Sequence, residues 1–149
     1  MSILSEIQRA LKAPKGQHNS FGNYSYRSCE DILEAVKPLL GDLVLTLSDE
    51  IVVVGDRVYV KATATLIGST PDCSWQTRAY AREAQAKKGM DEAQITGSAS
   101  SYARKYALNG LFCIDDTKDA DATNTHGKEA KRTQVIEGYG PVEDDDCPF

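Results

Sequence analysis

The chain has 149 residues, of which 41% are hydrophobic and 26% charged, a composition typical of ordinary globular proteins and not of wholly disordered or membrane proteins. Its net charge of −5 is uneven, because residues 1–114 carry 13 basic and 12 acidic side chains and residues 115–149 carry 4 and 10. No apolar run has the length of a membrane helix and no basic leader opens the chain, so we expect a cytoplasmic protein. The four cysteines and two histidines lack metal-ligand spacing, so we expect reduced thiols, no metal and no cofactor.

Two short helices are predicted in the first 40 residues. Apolar residues at helical spacing follow Ser2, a candidate cap, and Pro14 closes this first helix. Residues 15–27 are predicted to form a loop that leads into a short extended piece. Ser28 and Asp31 have the spacing of a capping box, which predicts that a second amphipathic helix begins there.

From residue 43 the hydrophobic period changes from that of a helix to that of a strand. Residues 43–54 and 57–68 are predicted to form a hairpin around Gly55-Asp56, and residues 73–82 repeat the alternation of apolar and polar side chains. The pattern therefore predicts an antiparallel three-stranded sheet with one buried face and one polar face.

A long helix is predicted after the sheet. Asp91 and Gln94 form a second candidate capping box, and Asn109-Gly110 is predicted to close the helix through a left-handed residue. Tyr102 and Tyr106 share one helical face with apolar residues and are predicted to belong to the core.

These elements together predict an α+β fold with a β-β-β-α core packed by helices. Residues 1–114 are predicted to form the domain. Residues 115–149 are polar and poor in branched apolar side chains, so we expect a disordered acidic tail.

The polar face of the predicted sheet alternates basic and aromatic side chains on two strands. Basic groups neutralise phosphates and aromatic rings stack bases, so this pattern predicts a surface for single-stranded nucleic acid. The alternative is a solvated outer face without a ligand. The residues concerned are Arg57, Tyr59, Lys61, Arg78, Tyr80 and Arg82.

Two further sets of side chains have the chemistry of a ligand site. Arg104 and Lys105 on the long helix can donate to phosphates, and the alternative is an amphipathic helix with a charged back. Asp115, Asp116, Asp119 and Asp121 can supply oxygen ligands to Mg²⁺ or Ca²⁺, although they do not fit an EF-hand and a solvated charge run is the alternative. The sequence has no phosphate-binding loop for ATP and no visible catalytic set, so we expect a protein that is not an enzyme.

Two stretches resemble the hallmark segments of the ERF family, the essential-recombination-function proteins of phages and prophages. They are "FGNYSYRSCEDILEAVKPLL" at residues 21–40 and "GSASSYARKYALNGLFCIDDTKDAD" at residues 97–121. The resemblance implies a protein of the bacterial host cytoplasm that anneals single-stranded DNA without ATP, as a homo-oligomeric ring or filament. It also implies a core like that of the Rad-type annealing proteins. The matched positions are Tyr24, Tyr26, Arg27, Gly97, Ser98, Tyr102, Arg104, Lys105 and Tyr106, of which Tyr26 and Arg27 join the candidate DNA contacts.

The last six residues resemble the acidic tip of bacterial single-stranded DNA-binding proteins. These residues are Asp144, Asp145, Asp146, Cys147, Pro148 and Phe149. The resemblance implies a peptide that docks on host repair proteins, with a coincidental tail as the alternative. The acidic tail can also fold back on the basic sheet face and compete with DNA.

We therefore expect an oligomeric protein that binds single-stranded DNA and anneals complementary strands. One alternative is an adaptor that recruits host proteins through its tip and binds DNA weakly. A second is a small metal-dependent nuclease that uses the aspartates of residues 115–121.

Overall fold

The computed structural model describes residues 2–70 and 73–114, and the account below is confined to them. The elements are α1 (Ile3–Ala10), β1 (Gln17–Asn19), β2 (Tyr24–Tyr26), α2 (Cys29–Val36), β3 (Val44–Val54), β4 (Arg57–Ile67), β5 (Ser74–Arg82) and α3 (Glu92–Phe112). A short 3₁₀ turn at Lys37–Leu39 follows α2 directly.

Strands β3, β4 and β5 form an antiparallel sheet in that order. Val54 pairs with Arg57 across a two-residue turn, in which Gly55 has a φ of +62°, a conformation that favours glycine. The predicted hairpin, the three-stranded sheet and the β-β-β-α order are therefore confirmed, and the fold class is α+β.

The core lies between one face of this sheet and α3. Alternate residues of the central strand β4 are buried there, from Val60 to Leu66. The helix meets them with small residues, because Ala99, Ala103 and Ala107 are buried at intervals of one turn. Small side chains on both sides bring the helix axis close to the sheet, and the larger core side chains of α1 and α2 pack around this contact.

Both predicted capping boxes are present. Asp31 N–H donates to Ser28 Oγ at 3.1 Å while Ser28 N–H donates to the Asp31 carboxylate at 2.8 Å. The same reciprocal pair joins Asp91 and Gln94 at the start of α3. Ser2 occupies the N-cap position of α1, but its side chain makes no capping hydrogen bond.

Two local predictions were wrong. The helix α3 does not close at Asn109-Gly110 but continues to Phe112, and the left-handed residue is Cys113 with a φ of 51°. Continuation of the helix buries Leu111 and Phe112 in the core, which an earlier end would leave without that packing. The region before β2 is also more ordered than predicted, because β1 pairs with β2 in a small hairpin.

No helix within the described ranges combines the length and apolarity that a membrane crossing requires. The predicted acidic tail, the aspartates of residues 115–121 and the docking residues 144–149 lie outside the described residues. The predicted domain boundary after residue 114 therefore stays a prediction.

Candidate nucleic-acid interface

The outer face of the sheet, opposite α3, collects the six predicted sheet residues. The register places Tyr59 opposite Arg82 and Lys61 opposite Tyr80 on neighbouring strands. Arg78 follows on the same face, opposite Thr63. Residues directly opposite each other on one face have neighbouring side chains, so the structure brings this basic and aromatic set together. We call this set the outer-face cluster: Arg57, Tyr59, Lys61, Arg78, Tyr80 and Arg82.

The basic members of the outer-face cluster differ in how far their charge is compensated. Lys61 Nζ lies 2.5 Å from the Glu50 carboxylate on the adjacent strand, so a carboxylate already neutralises this ammonium group. Arg57 lies 3.5 Å from the exposed Asp56 in the hairpin turn. Arg78 donates to the Gln76 amide oxygen, which carries no charge. Uncompensated positive charge is therefore concentrated on strand β5.

Arg82 is the least constrained of these side chains. It is exposed at the end of β5, and its guanidinium makes no hydrogen bond or ion pair within residues 2–70 and 73–114. An arginine in this state can meet a phosphate without first breaking an internal contact.

Arg104, predicted as a phosphate contact, lies on the other side of the sheet. Its guanidinium donates to both carboxylate oxygens of Asp49, from Nε at 3.0 and 3.1 Å, and Ser100 Oγ donates to the same carboxylate. Burial acts to raise the pKa of Asp49, but the hydrogen bonds from Arg104 and Ser100 and the Arg104 charge outweigh it, so this pKa lies below its ordinary value. Arg104 is therefore held in a structural ion pair between α3 and β3.

Tyr102 and Tyr106 are not core residues, and that prediction was wrong. Their side chains are 50% and 48% exposed, whereas Ala103 and Ala107, one position further along the helix, are fully buried. The repeat of small residues every fourth position marks the face that meets the sheet, and adjacent helical positions point about 100° away from it. That alanine repeat is the sequence signal that identifies the two tyrosines as surface residues.

Lys105 lies beside these two rings. Its Nζ is 5.1 Å from the Tyr102 ring centroid and 5.2 Å from that of Tyr106, within the range of cation–π contacts. Lys105 is thus brought together with aromatic rings on α3 and is separate from the outer-face cluster.

A pocket of about 280 Å³ connects the two regions. It lies between the end of β5, the connector that follows it and α3. Tyr80 and Arg82 from the outer-face cluster line it together with Lys87, Tyr102 and Tyr106. Basic and aromatic side chains therefore continue from the outer sheet face around the end of β5 to the helix.

Tyr26 and Arg27, the two predicted DNA contacts near the N-terminus, have different surroundings. Arg27 is buried, with 8% of its surface exposed, so its position is that of a core residue at the start of α2. Tyr26 is half-buried and packs against Tyr24, with ring centroids 6.0 Å apart. Neither lies in the outer-face cluster.

Residues 2–70 and 73–114 contain no group of three or more His, Cys, Asp or Glu side chains that can hold a metal ion. The aspartates predicted as a possible metal site lie outside these residues.

Comparison with known proteins agrees with the resemblance seen in the sequence. The family model of the ERF superfamily matches residues 2–143. The essential recombination function protein of Salmonella phage P22 is 64% identical over 126 residues, which is 85% of this chain and 60% of that protein. The chain thus spans about 60% of the length of this curated relative. No solved structure matches the chain, so the likeness to Rad-type annealing proteins stays a prediction. With nearly its whole length matched, the chain belongs to the ERF superfamily.

Proposed function

We propose that this protein binds single-stranded DNA and anneals complementary strands without ATP during phage recombination in the host cytoplasm. The observation that carries the proposal is the outer-face cluster, in which arginines and tyrosines alternate on an exposed sheet face. Membership of the ERF superfamily and the name of the phage P22 relative support recombination as the setting.

The chemistry of the outer-face cluster fits single strands better than a duplex with a defined sequence. Arg57 lies on β4, and Arg78 and Arg82 lie four residues apart on the neighbouring strand β5, so these guanidinium groups are spread over one face and can contact several phosphates of one strand. Tyr59 and Tyr80 lie among them and offer rings on which any base can stack. Such contacts depend on charge and aromatic surface and not on base identity, which annealing of arbitrary complementary strands requires.

Annealing in this proposal needs no bond chemistry. Two DNA strands repel each other through their phosphates, and neutralisation of some phosphates by arginine lowers this repulsion. Bases held loosely keep their pairing edges available for a second strand. We propose that several copies act together as a homo-oligomer, because binding at several linked sites raises the affinity for a long strand beyond that of one site.

The test is the rate at which two complementary labelled oligonucleotides pair, with and without the purified protein, in EDTA and without ATP. We expect acceleration by the protein and much weaker acceleration by an Arg78→Ala/Arg82→Ala variant. A Lys12→Ala/Lys37→Ala variant, altered in two exposed lysines that do not belong to the outer-face cluster, is the matched control for loss of two positive charges.

Absence of acceleration by folded protein would contradict the annealing function and favour an adaptor. Shortening of the oligonucleotides on addition of Mg²⁺ would instead favour a nuclease.

We also propose that residues 144–149 dock on host proteins that read the tips of bacterial single-stranded DNA-binding proteins. Three aspartates followed by cysteine, proline and phenylalanine support this. A pocket with a basic rim and an apolar floor would bind the aspartates at its rim and the phenylalanine ring at its floor. A tip peptide from the host protein should displace this chain from such a partner, and a Phe149→Ala variant should not bind it. Equal binding by that variant would contradict docking through the tip.

A further inference from the structure

Two aromatic side chains on α3 lie on the surface and do not pack in the core. Tyr102 and Tyr106 lie one turn apart, with ring centroids 6.4 Å apart and planes inclined by only 25°, and about half of each side chain is exposed. An exposed aromatic pair loses the stabilisation that burial would provide, so the paired rings are a surface available for another molecule.

Positively charged side chains lie beside these rings. Lys105 Nζ lies about equally far from both ring centroids, and the pocket beside them is lined by Arg82 and Lys87. Within residues 2–70 and 73–114, no carboxylate is among the side chains that line this pocket. An aromatic surface among cations is complementary to a ligand that combines flat rings with negative charge, and a nucleic acid strand is such a ligand.

The Tyr102 hydroxyl adds no opposing charge. Burial raises the pKa of Tyr102 above its ordinary value, and the neighbouring Tyr24, Tyr106 and Tyr26 raise it further. The phenol is therefore neutral at physiological pH, and it does not repel phosphates.

We propose that Tyr102 and Tyr106 form a base-stacking platform for single-stranded DNA, which the strand reaches from the outer sheet face around the end of β5. Tyr80 and Arg82 connect the two surfaces, because both belong to the outer-face cluster and also line the pocket beside Tyr102. Phosphates are then held mainly on the sheet, and bases stack on the helix as well as on Tyr59 and Tyr80. This inference rests on the proposed function and adds a second place where bases are contacted.

The test compares two ligands that have the same phosphates: an oligothymidylate and an abasic oligonucleotide of equal length. The full chain should bind oligothymidylate more tightly. A Tyr102→Leu/Tyr106→Leu variant should lose about 5- to 150-fold in affinity for oligothymidylate and show a much smaller preference, because base stacking on an aromatic ring contributes affinity of that order. Its salt dependence should not change, since the phosphate contacts remain.

A Tyr102→Phe/Tyr106→Phe variant is the matched control. It keeps the rings and loses the hydroxyls, so we expect wild-type affinity and wild-type preference. Both tyrosines are half-exposed, so the thermal unfolding midpoint should change little in either variant. If the leucine variant does not fold, photocrosslinking of the wild-type chain to a 5-iodouracil oligonucleotide provides the second measurement, with the crosslink expected at Tyr102 or Tyr106.

The outcomes separate this inference from the proposed function. Equal binding of both ligands by the wild-type chain, or an unchanged preference in the leucine variant, would overturn the stacking platform and leave single-strand binding intact. A crosslink found solely on β4 would do the same. Failure of the wild-type chain to bind either ligand would overturn both. A loss of self-association in the leucine variant, with its preference intact, would assign the rings to contact with a second copy and also overturn the platform.

Discussion

Arg104 on α3 and Asp49 on β3 form a two-point ion pair across the core side of the sheet. Nε and Nη2 of the arginine both lie 3.0 Å from carboxylate oxygens of the aspartate, and the side chains are 39% and 23% exposed. Planar guanidinium and carboxylate groups fit each other in this arrangement, which makes it more specific than a single contact. The pair connects a strand at the edge of the sheet to the helix that covers it.

Removal of this carboxylate should weaken the fold. We expect Asp49→Asn to lower the free energy of unfolding by about 1–2 kcal/mol, because it removes charge-assisted hydrogen bonds at a partly solvated site. Chemical denaturation of both proteins measures the difference. Glu50→Gln is the matched control, since Glu50 is on the same strand but its ion pair is exposed. Equal effects of the two substitutions would contradict a special role for Asp49.

The stability difference should also depend on pH. The pKa of Asp49 is lower in the folded chain than in the unfolded chain, so ionisation of Asp49 favours folding. This contribution is fully present above the unfolded pKa of about 3.9 and is lost as the pH falls through the folded-state pKa. Unfolding midpoints of wild type and Asp49→Asn should therefore converge as the pH is lowered from 5 towards 2. A constant difference over that range would show that the loss is not electrostatic.

The ion pair between Lys61 and Glu50 should limit DNA binding at the outer face. A Glu50→Gln variant leaves the Lys61 ammonium uncompensated and removes a negative charge, so we expect tighter binding of oligothymidylate and a steeper dependence of log K on log salt. Arg82→Ala should have the opposite effect and reduce the slope by about 0.7 for one lost phosphate contact on a single strand. Titrations between 50 and 300 mM salt measure both. Unchanged slopes in both variants would place the phosphates elsewhere.

Two glycines of α3 should respond oppositely to alanine. A Cβ at Gly97 meets no atom within 4 Å, so Gly97→Ala should stabilise the helix by about 0.5–1 kcal/mol. A Cβ at Gly110 would lie 2.7 Å from the Thr77 Cγ2 methyl of β5, so Gly110→Ala should destabilise the fold, by about 1–2 kcal/mol.

The Thr77→Ser substitution removes that methyl group and provides the control for the steric explanation. It should restore stability to Gly110→Ala, as measured by thermal unfolding. If Gly97→Ala proves stabilising but weakens binding of oligothymidylate, then DNA approaches the helix backbone at that position.

The acidic residues 115–149 should compete with DNA for the basic sheet face. Their 10 acids and 4 bases give a net charge of −6, against +1 for residues 1–114. We expect deletion of residues 115–149 to tighten binding of single-stranded DNA, most strongly at low salt where charges are least screened. Fluorescence anisotropy with the shortened and full chains measures this. Equal affinities at low salt would exclude competition by the tail.

The sequence predicts those features that local interactions determine. Ser28 and Asp31 are three residues apart, so their capping box follows from the sequence alone, and the alternation along β4 likewise determines which residues face the core. The exposure of Tyr102 depends on which helical face meets the sheet, and the alanine repeat is the sequence signal that marks this face. The true end of α3 depends on the packing of Leu111 and Phe112 in the core, which no local pattern determines. The ion pair of Asp49 with Arg104 joins residues 55 positions apart, and no local pattern predicts it.

The neighbouring acids of β3 have a consequence for how the hairpin folds. The run Ile51 to Val54 is apolar on both faces, and a slip of this strand by one residue would change little in its hydrophobic pattern. Asp49 and Glu50 point to opposite faces, where each meets its own basic partner. A slip by one residue would exchange the two faces and separate both ion pairs. The two carboxylates therefore specify the register of β3 on β4, because a register shifted by one residue would lose both ion pairs.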